Sequence, residues 1–157
     1  MSVKSILVVE DSQKKWDEIN ALFKNMSGQN FSVHRATTIL DANRLISDVN
    51  WDLVLLDISM DIRESSSAPS AGGHDTTGGL RIAERMFYLD RDAPIIIVTA
   101  FDAFPASIEG QGALLGLDDV VRRASRVLGD LLIGVVRYRE DGWAEHLTDL
   151  VNKVFKK

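Results

Sequence analysis

The chain has 157 residues, a net charge of −5 and no cysteine. That length suits one domain with a real core, and the missing cysteines exclude disulfides and thiolate chemistry. An acidic balance with no basic run longer than a pair such as Lys156-Lys157 argues against nucleic-acid binding by electrostatics alone. The opening Met1-Ser2-Val3-Lys4 leads into an apolar run too short and wrongly flanked for a signal peptide or a membrane span, so the sequence reads as cytoplasmic.

Residues 3–9 read as a first strand. Residues 12–26 read as a helix, with Trp16, Ile19, Leu22, Phe23 and Met26 on one face at helical spacing. Ser27-Gly28-Gln29-Asn30 breaks it, and 31–36 is a short second strand. Thr38 and Asp41 give a capping-box start to a helix carrying Ile39, Ala42, Leu45, Ile46 and Val49. A third strand spans 52–57. The periodicity then lapses over 59–77, where Ser65-Ser66-Ser67, Pro69 and Gly72-Gly73 predict a long loop, read as a mobile flap over a site. A helix resumes near Gly79 with Leu80, Ala83 and Phe87 on one face, and Pro94 opens a fourth strand ending at Thr99.

The order βαβαβαβ predicts a parallel sheet with helices on both faces. Beyond Thr99, Pro105 suggests a helix running past Ile108 that Gly110 and Gly112 interrupt. Leu117, Val120, Val121, Ala124, Val127 and Leu128 mark an amphipathic helix with Gly129 as its C-cap. Residues 131–136 are the best fifth strand, and Trp143, Leu147, Leu150, Val151, Val154 and Phe155 form the stripe of a last helix. No internal repeat or second domain is visible, so 1–157 reads as one domain with a long loop at about 59–77.

Three apolar runs end in polar residues. Ile6-Leu7-Val8-Val9 ends in Glu10-Asp11, Leu53-Val54-Leu55-Leu56 in Asp57, and Ile95-Ile96-Ile97-Val98 in Thr99-Ala100. In an open parallel sheet such ends converge on the crevice beyond the carboxyl ends of the strands. Three carboxylates brought together repel one another unless a cation sits among them, and hard oxygen ligands suit Mg²⁺. Taken alone, Glu10-Asp11 could serve only as caps at a strand end and helix start, but with Asp57 present the metal reading leads. His74 beside Asp75 reads as a solvated loop residue. The glycines of 72–79 lack the lysine of a phosphate loop, and Arg122, Arg123 and Arg126 read as a solvated helix face.

Glu10-Asp11, Asp57 and Thr99-Ala100, in that order on successive strand ends, resemble the receiver domain of bacterial two-component response regulators over nearly the whole chain. The resemblance implies a flavodoxin-like α/β fold, five parallel strands in order 2-1-3-4-5 with helices on both faces. It implies that Asp57 accepts a phosphoryl group from a sensor histidine kinase or phosphotransfer protein. Glu10, Asp11, Asp57 and the backbone carbonyl of Ser59 would hold Mg²⁺, and the Thr99 hydroxyl would bond a phosphoryl oxygen. The expected class is a phosphoacceptor signalling domain, not an enzyme in the ordinary sense. It would stand alone and act through contacts with an unidentified output protein, without nucleic acid or membrane, with a homodimer also open.

Departures from the family pattern matter. The family's lysine after strand five has no counterpart, since no lysine lies between Lys24 and Lys153. By position its replacement is Arg137, or Arg122 or Arg123 if strand five is placed at 119–121. Arg keeps the charge but is planar and bulkier. Gly134 stands where the family often carries an aromatic, and the segments after Asp57 and Thr99 are longer than usual. A degenerate receiver, binding partners without being phosphorylated, is the alternative. A phosphohydrolase of the haloacid dehalogenase type is disfavoured, because the second aspartate it needs two residues after the first is Ser59 here.

Overall fold

In a computed structural model of the chain, residues 2–59, 78–100, 103–105 and 114–156 are described. The elements in chain order are β1 (Val3–Val9), α1 (Gln13–Asn25), β2 (Asn30–Ala36), α2 (Ile39–Asp48), β3 (Leu53–Leu56), α3 (Gly78–Tyr88), β4 (Ile95–Thr99), β5 (Ala103–Pro105), β6 (Leu114–Gly116), α4 (Leu117–Leu128), β7 (Leu132–Arg137) and α5 (Trp143–Phe155). Five strands pair in the order β2-β1-β3-β4-β7, all parallel. This is the flavodoxin-like, doubly wound sheet expected from the sequence.

Strand periodicity divides the core between the two faces. Leu7, Val9, Val54, Leu56, Ile95 and Ile97 face α2, α3 and α4. Ile6, Val8, Leu53, Leu55, Ile96 and Val98 face α1 and α5. The central strands are buried on both faces, which explains their continuous aliphatic runs. Each such side chain contributes roughly 1.5–3 kcal/mol of transfer free energy.

Helix limits follow their caps. Ser12 Oγ accepts from the Lys15 amide at the start of α1, and Thr38 Oγ1 accepts from the Asp41 amide at the start of α2. Gly129, at φ +56°, ends α4 in a backbone region that a side chain would strain. The fifth parallel strand is β7, one residue displaced from the expected 131–136. Pro105 ends β5, which pairs antiparallel with β6, and the helix expected from there past Ile108 falls outside the described residues. The fixed φ of Pro suits an edge strand as well as a helix start, and periodicity cannot separate the two over three residues. The predicted flap, His74 and the stretch past Ile108 lie largely outside the described residues.

Gly134 lies against α5. A Cβ built there would meet the end of the Leu150 side chain at 2.8 Å, so a larger residue at this position would require Leu150 to move. Gly79 is tighter. Its Cβ would lie 2.1 Å from the Asp57 carbonyl oxygen and 2.6 Å from the Ile58 Cα, and its amide donates to the Ile58 carbonyl at 3.1 Å. The start of α3 is thus pressed directly onto the backbone at the end of β3. Gly79→Ala should cost about 2–3 kcal/mol or more, because backbone rather than a flexible side chain must move. Urea unfolding would measure this, and a variant as stable as wild type would refute the close-packing account.

Candidate functional site

Register builds the site. Val9 pairs with Leu56, and Leu56 with Ile97. The next residues along, Glu10, Asp57 and Val98, therefore stand side by side at the carboxyl edge of the three central strands. Hydrogen bonds extend the ladder past the strand ends, from the Glu10 amide to the Ala36 carbonyl at 2.9 Å and from the Asp57 amide to the Val9 carbonyl at 3.1 Å. Glu10, Asp11 and Asp57 each bring a carboxylate oxygen within 4.8 Å of the others. Glu10 and Asp57 are buried and Asp11 is exposed.

The cation among them is Lys15. Its ammonium lies 2.6 Å from Glu10 Oε1 and 3.3 Å from Asp57 Oδ2, and donates to the Val98 carbonyl at 2.7 Å. The side chain is 4% exposed, so these three acceptors match its three donors in a nearly dry setting. The other oxygens are also held. The Ser12 amide donates to Glu10 Oε2 at 3.0 Å. The Ser59 amide and hydroxyl donate to Asp57 Oδ1 at 2.9 and 2.7 Å, which fixes the plane of that carboxylate.

Sequence reasoning missed Lys15, yet a signal was present. Lys15, Ile19 and Phe23 lie at i, i+4 and i+8 and form the buried stripe of α1. A lysine on such a stripe must find acceptors inside the fold.

The strand-end arginine lies elsewhere. Val135 packs toward α4 and Val136 toward α1 and α5. The strand period then turns Arg137 to the α4 side and Tyr138 to the α1 and α5 side. The Arg137 guanidinium is 3.9 Å from Asp118 at the start of α4 and 3.5 Å from Glu140. Position in sequence thus pointed to Arg137 as the cation at Asp57, whereas the ammonium in contact with that carboxylate comes from α1. Residues 119–121 lie within α4 and so are not the fifth strand, and Arg122 reaches Asp119 on that helix at 3.3 Å. Thr99 is buried at the end of β4, paired in register with Arg137, and its carbonyl accepts from the Tyr138 amide at 2.9 Å.

Tyr138 closes the site beside Lys15. Its ring centroid is 5.6 Å from the ammonium, it packs edge-on against Trp143 at 4.8 Å, and its hydroxyl bonds Glu18. Burial, then the Glu18 bond, push its phenol up to about 12. A cleft of about 870 Å³ opens here, bounded by Glu10, Asp11, Lys15, Asp57, Tyr138 and Trp143.

Burial, then the Asp57 charge, push the Glu10 carboxyl from its ordinary 4.5 to about 7, against the pull of Lys15 and the Ser12 amide. The same two causes, in the same order, raise Asp11. Carboxyls raised by burial and mutual repulsion mark a donor set short of positive charge, and hard oxygens at this spacing fit a divalent cation such as Mg²⁺. Glu10, Asp11 and Asp57 are the residues that would hold it.

The chain matches no protein-family model and no curated protein. Solved structures do match in fold. A response regulator receiver domain protein (CheY-like) from Methanospirillum hungatei JF-1 superposes at a TM-score of 0.63, with 20% identity over 98% of this chain and 94% of that one. Response regulator protein TrrA from Thermotoga maritima, solved in complex with Mg²⁺-BeF, gives 0.63 at 20% identity over 97% and 99%. A signal receiver domain of an HD domain-containing protein from Pseudomonas fluorescens Pf-5 gives 0.66 at 13% over 99% and 96%. The chain therefore has the fold of response regulator receiver domains. Among the described residues no helix is long and apolar enough to cross a membrane.

The Glu10 shift has a definite sign. The folded chain binds this proton more tightly than the unfolded one. Stability from Glu10 is full below about pH 4.5 and is lost as pH rises through about 7, by up to roughly 3 kcal/mol. Without divalent cations, Glu10→Gln should remove that slope, as read by denaturant unfolding between those limits. Identical slopes for the two proteins would contradict the raised carboxyl. Millimolar Mg²⁺ should raise the melting temperature of wild type, and Asp11→Ala should remove most of that gain. Wild-type melting indifferent to Mg²⁺ would count against the metal site.

Proposed function

We propose that the chain is a phosphorylatable receiver whose acceptor is Asp57. The observation that carries this reading is the cluster itself, three carboxylates within 4.8 Å at the ends of central parallel strands with a buried ammonium among them. A structural salt bridge needs one carboxylate, whereas three held against their repulsion suit a site that manages phosphoryl charge. The receiver fold supports the same reading.

In the transfer, an Asp57 carboxylate oxygen attacks the phosphorus of a phosphohistidine. The P–N bond breaks, the imidazole leaves, and an acyl phosphate forms; later attack by water on phosphorus releases inorganic phosphate and restores the carboxylate. Ser59 orients the carboxylate for in-line attack through its amide and hydroxyl. A divalent cation held by Glu10, Asp11, Asp57 and the Ser59 carbonyl would offset charge on the phosphoryl oxygens. The Thr99 hydroxyl would bond one of those oxygens. The donor would be a sensor histidine kinase or a phosphotransfer protein, and the output a protein contact. The domain thus works as a signalling switch, not as an enzyme turning over an external substrate, and a cytoplasmic setting suits such partners.

One observation favours a second reading. Lys15 already bridges Glu10 and Asp57, as a permanent ion pair in a phosphorylation-independent binding module would. Incubation with acetyl phosphate and Mg²⁺, followed by intact mass, separates the two. Wild type should gain one phosphoryl mass, and Asp57→Asn should gain none while keeping its circular dichroism. A wild type that takes no phosphate from several small donors leaves the binding-module reading standing.

A further inference from the structure

We propose that Lys15, carried on α1, is the residue that grips the phosphoryl group on Asp57, in the role that position in sequence would give to a cation at the end of the last strand. The proposal rests on Asp57 as phosphoacceptor and adds what receives the charge.

The three contacts of the ammonium are unequal. Those to Glu10 Oε1 and the Val98 carbonyl are 2.6 and 2.7 Å, while that to Asp57 Oδ2 is 3.3 Å. Two short bonds anchor the nitrogen beside the acceptor, and the long one is free to exchange. When an Asp57 oxygen bonds to phosphorus, the carboxylate loses its charge and phosphoryl oxygens arrive on the same side. The third N–H then passes from Asp57 Oδ2 to a phosphoryl oxygen without the lysine leaving Glu10 or Val98. A dianion beside a nearly dry ammonium makes a strong charge-assisted bond.

The far end of the strand supports this assignment. Tyr138, not a cation, occupies the α1 and α5 side of the chain just past β7, and its ring lies over the Lys15 ammonium. Its hydroxyl is tied to Glu18, one helical turn after Lys15, so the aromatic and α1 hold each other in place. Arg137 lies 3.9 Å from Asp118 at the start of α4 and 3.5 Å from Glu140. The charge therefore enters from the first helix.

The test is titration of the full chain with beryllium fluoride in Mg²⁺, read by tryptophan fluorescence from Trp143 and Trp16, with Mg²⁺ alone titrated in parallel. Lys15→Met should weaken beryllium fluoride binding about tenfold or more, the loss expected for one charge-assisted bond. The same change should tighten Mg²⁺ binding, because a competing cation has gone from the carboxylates. A merely structural lysine would weaken both. Lys15→Arg keeps the charge and should retain part of the beryllium fluoride affinity, and it carries the test if circular dichroism shows Lys15→Met unfolded. Beryllium fluoride bound equally by wild type and Lys15→Met would overturn the proposal and leave Asp57 as acceptor. A loss confined to Arg137→Ala would return the role to the strand end. A wild type that binds no beryllium fluoride and takes no phosphate would overturn both the acceptor reading and the proposal built on it.

Discussion

Three carboxylates at the ends of adjacent strands repel one another, and the fold has to supply positive charge inside a nearly dry pocket. Lys15 does so with one ammonium and three acceptors. Much of the surrounding structure follows from that need. α1 must present its first turn to the strand ends, so Ser12 caps it there while the Ser12 amide holds the second oxygen of Glu10. Tyr138 and Trp143 then cover the lysine from the last strand and last helix. A buried ion pair is weak evidence for stability, since desolvation offsets most of the attraction. Its presence at the mouth of a cleft, with Glu10 still raised to about 7, points to use of the charge rather than to packing.

The sheet contributes position. Parallel pairing with Val9 opposite Leu56 and Leu56 opposite Ile97 sets Glu10, Asp57 and Val98 in a row without any long side chain reaching across. Gly79 then lets α3 press against the Asp57 carbonyl, closer than any side chain would permit. Backbone, not side-chain flexibility, therefore defines where the Asp57 carboxylate stands, and Ser59 defines how it is turned. Rigid placement of a carboxylate and its counter-charge suits the phosphoryl transfer proposed for Asp57.

Identities of 13–20% with receiver domains at TM-scores of 0.63–0.66 mean that the backbone plan is shared while most side chains differ. Fold alone does not determine function. The function proposed for this chain is argued from Glu10, Asp11, Asp57 and Lys15, whose chemistry stands independently of the superposition.

Much of this was legible in the sequence. The aliphatic runs before Glu10, Asp57 and Thr99 marked central strands because a strand buried on both faces needs an unbroken apolar run. Ser12, Thr38 and Gly129 marked helix ends because their caps are local. The meeting of Asp57 with Glu10 and Asp11 followed from strand ends converging on one edge. Only the tertiary structure decided the cation. Arg137 was the natural choice by position, but a side chain's face in a strand changes with each residue, and one step separates the side of Asp118 from that of Tyr138. Lys15 was hidden because nothing within its own helix pairs with it; its partners sit at the carboxyl ends of three strands, and the contact to the Val98 carbonyl spans 83 residues. β5 was not foreseen for a related reason, since it is a strand only through pairing with β6 across a connection whose length gives no sign of it. Local chemistry writes strands, caps and acids into the sequence, whereas long-range packing alone chooses which charge meets them.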